Sequence, residues 1–219
     1  MSRRTFYIFL LFTLIAGGIL LRTSSAERPG VLVKLDFEEL KKENTDVNLQ
    51  GRVYGGVGRN PLQPFAPDAC VPNPQGCFIL IAHHFSPDAN PPRFLTLGTL
   101  RPDFPGSTAL AHHRSLGEIV LTRIDGGTFD FIGIDLAELP SLDANGRPIL
   151  SGRFNITFYG KKRNGRGISA TLTLSNIALG LEPFKFENFD DVVSVSWFQG
   201  AGGLSFPTHQ FDNILVSPQ

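Results

Sequence analysis

Tryptophan occurs once in this chain and tyrosine three times, against 19 phenylalanines. Sugar-stacking surfaces draw on Trp and Tyr, whose rings keep one polar edge in water. Their scarcity weighs against a lectin built on an aromatic platform and sends most phenylalanines to a core. Cysteine is limited to Cys70 and Cys77, too few for a four-thiolate zinc site or a disulfide-dense scaffold. No segment of adequate length carries a 3.6-residue apolar period, which excludes a helical bundle. Nucleophile elbow, HExxH and glycine-rich phosphate loop are all missing. Basic and acidic residues balance at 20 each, so nothing favours nucleic acid or an anionic membrane surface. The only basic cluster, Lys161 to Arg166, falls between two strand-like runs and reads as a solvated hairpin turn.

The N-terminus has the pattern of an export signal. Arg3 and Arg4 precede an uncharged run from Phe6 to Leu21, followed by Arg22 and the small residues Ser24, Ser25 and Ala26. A charged start, an apolar centre and a small-residue site predict a signal segment over residues 1–26, cleaved after Ala26 or kept as an anchor. The run is shorter than the roughly 20 residues of a spanning helix, and no second apolar run follows. Residues 27–219 are then expected to fold as one domain, secreted or held in the periplasm or cell envelope. In that compartment Cys70 and Cys77, bracketing the turn-rich Val71 to Gly76, are expected to form one local disulfide.

Strand signals recur from Val31 to the end. Cys77 to His84 is a continuous apolar run. Gly117 to Asp125 and Thr128 to Leu139 flank the pair Gly126-Gly127, which predicts a hairpin. In Arg153 to Gly160, Phe154, Ile156 and Phe158 alternate with Asn155, Thr157 and Tyr159, so the apolar set is expected inward. Ile168 to Ser175 follows across Asn164-Gly165, a second hairpin. Pro183 to Phe189, Val192 to Gln199 and Thr208 to Val216 complete the set, with Val31 to Leu40 at the front. About nine strands with turn residues between them predict an all-β antiparallel sandwich, a jelly roll. Asn44 to Gly76 and Ser86 to Arg114 are rich in Gly and Pro and read as long loops, the usual seat of binding.

The run from Ile119 to Leu139 and the stretch Ser194 to Val216, ending in Phe211-Asp212-Asn213-Ile214, resemble the jelly-roll domain of exported bacterial proteins of the PEP-CTERM and related anchor-domain type. These are similar in layout to carbohydrate-binding sandwiches. The resemblance covers roughly Val31 to Val216. It implies an acidic residue in the first strand and one in the last sharing a structural Ca²⁺. Carried onto this chain, the ligands are Asp36, Glu38 and Asp212, with Asn213 as an oxygen donor. The residues themselves raise the same question. Asp212 is expected to share a face with Ile214 and Val216, where a carboxylate needs a cation, an arginine or several donors. A hydrogen-bonded cap is the alternative to the metal.

Three further side chains are candidates for ligand contact. Trp197, ahead of Gly200 to Gly203, is read either as a sugar-stacking ring or as core. His84 and His112 come from two histidine pairs, His83-His84 and His112-His113. Adjacent strand residues point to opposite faces, so a metal would need one His from each pair, with Asp88 or His209. Otherwise His84 and His112 line a Pro-rich loop region. Carboxylate pairs that could flank a glycosidic bond are Asp130 with Asp135, and Glu187 with Asp190 and Asp191. On a regular strand Asp130 and Asp135 fall on opposite faces. These readings add up to an exported, non-catalytic binding module whose partner is a glycan or cell-surface polymer. The alternative is an extracellular enzyme that uses sheet carboxylates on a polysaccharide.

Overall fold

In a computed structural model, the described residues are 32–37, 46–47, 53–54, 77–84, 94–97, 105, 107–112, 117–139, 141–149, 153–174, 180–199 and 208–219. Among them every element is a strand. Nine follow the runs read from the sequence: β1 (Val33–Leu35), β4 (Phe78–His84), β7 (Gly117–Arg123), β8 (Phe129–Glu138), β11 (Phe154–Lys162), β12 (Gly167–Leu174), β13 (Glu182–Lys185), β14 (Val192–Gln199) and β15 (His209–Pro218). Six short strands add to them: β2 (Asp46–Val47), β3 (Val53–Tyr54), β5 (Phe94–Leu97), β6 (Ala109–His112), β9 (Ser141–Leu142) and β10 (Pro148–Ile149). Four of the six lie in stretches expected to be loops. Two to four residues are too few to show a period, and long-range pairing alone makes them strands.

All pairings are antiparallel. One run of strands is ordered β2-β5-β6-β15-β8, with β1 also on β15 and β13 on β8. A second run is ordered β14-β7-β4-β3, with β11 added to β14 and β12 to β11. The single register pair Val192–Phe129 joins them. The ladder curls, so rings from one run meet rings from the other. Phe78 lies 5.1 Å from Phe129, Phe131 lies 6.0 Å from Phe158, and Trp197 lies 5.2 Å from Phe211. This contact is what the phenylalanine excess supplies.

Strand β11 keeps the expected alternation. Ile156 and Phe158 are buried while Asn155 and Tyr159 are exposed. Its hairpin with β12 turns through Gly165 at φ +82°, and Lys162 N–H donates to the Arg166 carbonyl. The basic residues of this turn are solvated except where Arg163 donates to the Thr128 hydroxyl at 2.7 Å and where the acidic turn before β14 reaches them. Lys162 lies 3.1 Å from Asp190, and Arg163 lies 3.8 Å from Asp191. The hydrogen bond from the Lys162 ammonium holds the Asp190 carboxyl below its usual range. Any stability from this pair is present above the ordinary carboxylate pKa and fades as pH falls through the lowered one. Both charges face water, so the contribution is small.

The hairpin expected over Gly126-Gly127 is corrected. β7 pairs with β4 and β14, not with β8. The chain turns at Gly126 with φ +69°, but it then crosses to the other run of strands. A buried arginine organises this crossing. Arg123 Nη1 donates to the carbonyls of Thr128 at 2.5 Å and Gln219 at 2.8 Å, and its Nη2 meets Asp125 at 2.5 Å. A Cβ on Gly127 would sit 2.5 Å from the guanidinium carbon. Gly127 is bare because Arg123 lies against it.

Candidate functional site

The site is built where the first, last and eighth strands meet. Alternation breaks at this point in both β8 and β15. In β8, Phe129 and Phe131 belong to the core, and so do Ile134 and Leu136. The parity slips at Ile132-Gly133. In β15, Phe211, Ile214 and Val216 belong to the core, a slip at Asp212-Asn213. The ladder between the two strands shifts register between Asp212 and Leu215 and again before Val216. Asn213 takes φ +50°, a left-handed conformation that Asn tolerates better than most residues.

The bulge changes where Asp212 points. A regular strand would put it beside Ile214 and Val216, whereas it lies opposite Phe211 and so on the outer face. Its register partner is Asp135, not a residue of β1. Asp212 is nonetheless fully buried, and Ser107 Oγ donates to its Oδ2. Beside it, Asn213 Nδ2 donates to Asp135 Oδ2 at 2.7 Å. Asp36 follows Leu35, which pairs with Ile214. Among the described residues no three His, Cys, Asp or Glu side chains converge to hold a metal ion. Glu38 lies outside the described residues.

The same slips open a groove of about 280 Å³ on the outer face of β1, β15, β8 and β13. Asp135 and Asn213 supply polar groups, Lys34 and Lys185 stand at either side, and Ile132, Pro183 and Leu215 give apolar surface. A Cβ on Gly133 would lie 2.8 Å from the Phe184 carbonyl oxygen. Close strand packing therefore keeps that position bare and deepens the groove. Asp130, the partner weighed for Asp135, also lies on the outer face because of the slip, which corrects the opposite-face expectation. Five residue steps along the strand separate the two, roughly 17 Å. Asp130 is engaged elsewhere, accepting from Asp191 N–H at 3.0 Å and Gln219 Nε2 at 2.6 Å. Glu187, Asp190 and Asp191 stay in the turn before β14.

Trp197 takes its packing alternative. It has no exposure and lies 5.2 Å from both Phe158 and Phe211, so no ring face is open to a sugar. His112 is likewise interior, not at a loop surface: it is 3 % exposed, pairs with Phe94 and lies 6.4 Å from its ring. A Cβ on Gly117 would fall 2.2 Å from His112 Nε2. Gly117 is also the register partner of His84, whose side chain is outside the described residues. The structure thus brings His84 and His112 to one end of β7. His209, fully buried, pairs with Glu138 on β8, and Gln210 Nε2 donates to the Glu138 carbonyl at 2.9 Å. Cys77 is buried just before β4, while Cys70 and Asp88 lie outside the described residues.

Sequence reasoning missed Lys34, Lys185 and the pairing of Asp135 with Asp212. Lys34 sits between two apolar residues of β1 and Lys185 between two phenylalanines. Each is an outward residue by period two, but nothing local places both on one groove.

No protein-family model and no curated protein matches the chain. Among solved structures, one described as "Structural analysis of an exo-beta-agarase" aligns at a TM-score of 0.39 and 7 % identity. That match covers 63 % of this chain and 23 % of the other.

Proposed function

We propose that this chain is an exported, non-catalytic module that binds a glycan in the groove between Lys34, Asp135, Lys185 and Asn213. The observation that carries it is the groove itself, an open depression with a carboxylate and an amide fixed against each other beside apolar surface. A pyranose offers the complementary parts: hydroxyls for Asp135 and Asn213, and a C–H face for Leu215 and Pro183. The Asn213–Asp135 hydrogen bond holds both groups in place before a ligand arrives, which lowers the ordering cost of binding. The module is read as a two-layer jelly-roll sandwich, with the described strands of the two runs as its layers, in the periplasm, envelope or medium. A glycan array probed with the full chain tests the reading. Asp135→Ala is expected to weaken binding of the best glycan by about tenfold or more, since it removes a charge-assisted hydrogen bond. Unchanged binding in that variant would move the ligand elsewhere.

The pairing of Asp212 with Asp135 favours one second reading, an enzyme acting on polysaccharide. Neighbouring carboxyls near 5 Å are the spacing of retaining glycoside hydrolysis. Against it, Asp212 is sealed from solvent, whereas that chemistry needs both carboxyls at the bond. Release of reducing ends that disappears in Asp135→Asn would establish it.

The structural Ca²⁺ is proposed with Asp212, Asp36 and Glu38 as its carboxylates, drawn from the first and last strands. Calcium binds only the folded chain in this proposal, so EDTA is expected to lower the melting temperature of metal-replete protein. Asp212→Asn should abolish most of that sensitivity. Melting unaffected by EDTA would leave Asp212 as the hydrogen-bonded acceptor of Ser107.

A further inference from the structure

We infer that the glycan bound in this groove carries an acidic group, a uronate carboxylate or a sulfate ester, seated over Gly133 between Lys34 and Lys185. This rests on the glycan-binding reading of the same groove and deepens it. Four residues form one cross-strand row: Lys34 pairs with Leu215, Leu215 with Gly133, and Gly133 with Lys185. Val33 and Leu35 face the core on either side of Lys34, so this ammonium stands on the outer face, as does that of Lys185. Both lysines are exposed, and neither makes an ion pair among the described residues.

The spacing suits a bound anion. Three strand separations put the two lysine Cα atoms about 14 Å apart. Their flexible four-carbon stems can lean inward from both sides over the bare Gly133. Gly133 cannot be filled by a larger residue, because a Cβ there would strike the Phe184 carbonyl. Among the residues that line the groove, two ammonium groups stand against one carboxylate, Asp135, while Asp212 beside it is sealed from the groove and held by Ser107. A neutral sugar leaves both ammonium groups without a counter-charge, while one acidic substituent supplies it. Hydroxyls on the same or the next ring remain for Asp135 and Asn213.

Calorimetric titration of the full chain tests the inference with four probes: an oligogalacturonate, its methyl ester, a sulfated galactan oligosaccharide, and the same oligosaccharide desulfated. One acidic probe is expected to bind about tenfold tighter than its neutral counterpart, and the preference should shrink at about 0.5 M salt. Which acid wins identifies the group. The double substitution Lys34→Gln, Lys185→Gln, at two exposed positions that leave the core intact, should erase the preference. Equal binding of acidic and neutral probes, with loss of both in Asp135→Ala, would overturn the acidic ligand and keep the groove. Binding indifferent to Asp135→Ala and to the double substitution, or no binding of any probe, would overturn both readings.

Discussion

Phe158→Ala is expected to destabilise the fold by about 3–5 kcal/mol, through lost burial and the cavity left behind. Phe158 has no exposure, and three rings converge on it, with a fourth behind them. Trp197 lies at 5.2 Å, Phe186 at 4.9 Å, Phe131 at 6.0 Å, and Phe189 is joined through Phe186 at 5.0 Å. These residues come from β8, β11, β14 and the segment after β13, so no single neighbour can collapse into the space. Thermal unfolding should register a fall of roughly 10 °C, given a few degrees per kcal/mol at this chain length. Phe154→Ala, on the same face but only partly buried, is the comparison and should cost less. Equal losses at the two positions would show that the depth of burial does not set the cost.

Arg123→Met should cost about 3 kcal/mol, because it removes the donor that three acceptors share. Its side chain is 2 % exposed, whereas Asp125 is 22 % exposed. Loss of the guanidinium takes a donor from the buried Thr128 carbonyl, which keeps only the Gln219 N–H at 3.0 Å, and from the exposed Gln219, and it leaves Asp125 without its cation. Asp125→Asn should cost much less, since Asp125 meets solvent and Arg123 keeps its two carbonyl partners. Chemical denaturation of both variants checks the ranking. Arg123→Met at wild-type stability would mean that burying the guanidinium costs as much as its bonds return.

Strand positions were legible because a period of two is a local property. Phe154, Ile156 and Phe158 announce an inward face by themselves, and Asn164-Gly165 announces the turn that follows. Gly126-Gly127 misled for a definite reason. A turn needs glycine at positive φ whether or not the strands it joins are paired, and here the second glycine makes room for Arg123. Trp197 was ambiguous because a lone indole before a glycine loop suits both rim and core, and only the rings around it decide between them.

The period-two pattern, the phenylalanine excess and the turn residues were enough to establish an antiparallel all-β chain and most of its strand boundaries. They carry no information about phase slips, because a bulge is set by which residues of two distant strands pair. The slips at Ile132-Gly133 and Asp212-Asn213 moved Asp212 away from the Ile214 face and set it opposite Asp135. They also put Asp130 and Asp135 on one face and opened the groove between Lys34 and Lys185. Each of these outcomes depends on contacts between β1, β8, β13 and β15, residues 33 to 218 in number. Local alternation writes the strands, and long-range register decides which side chains share a site.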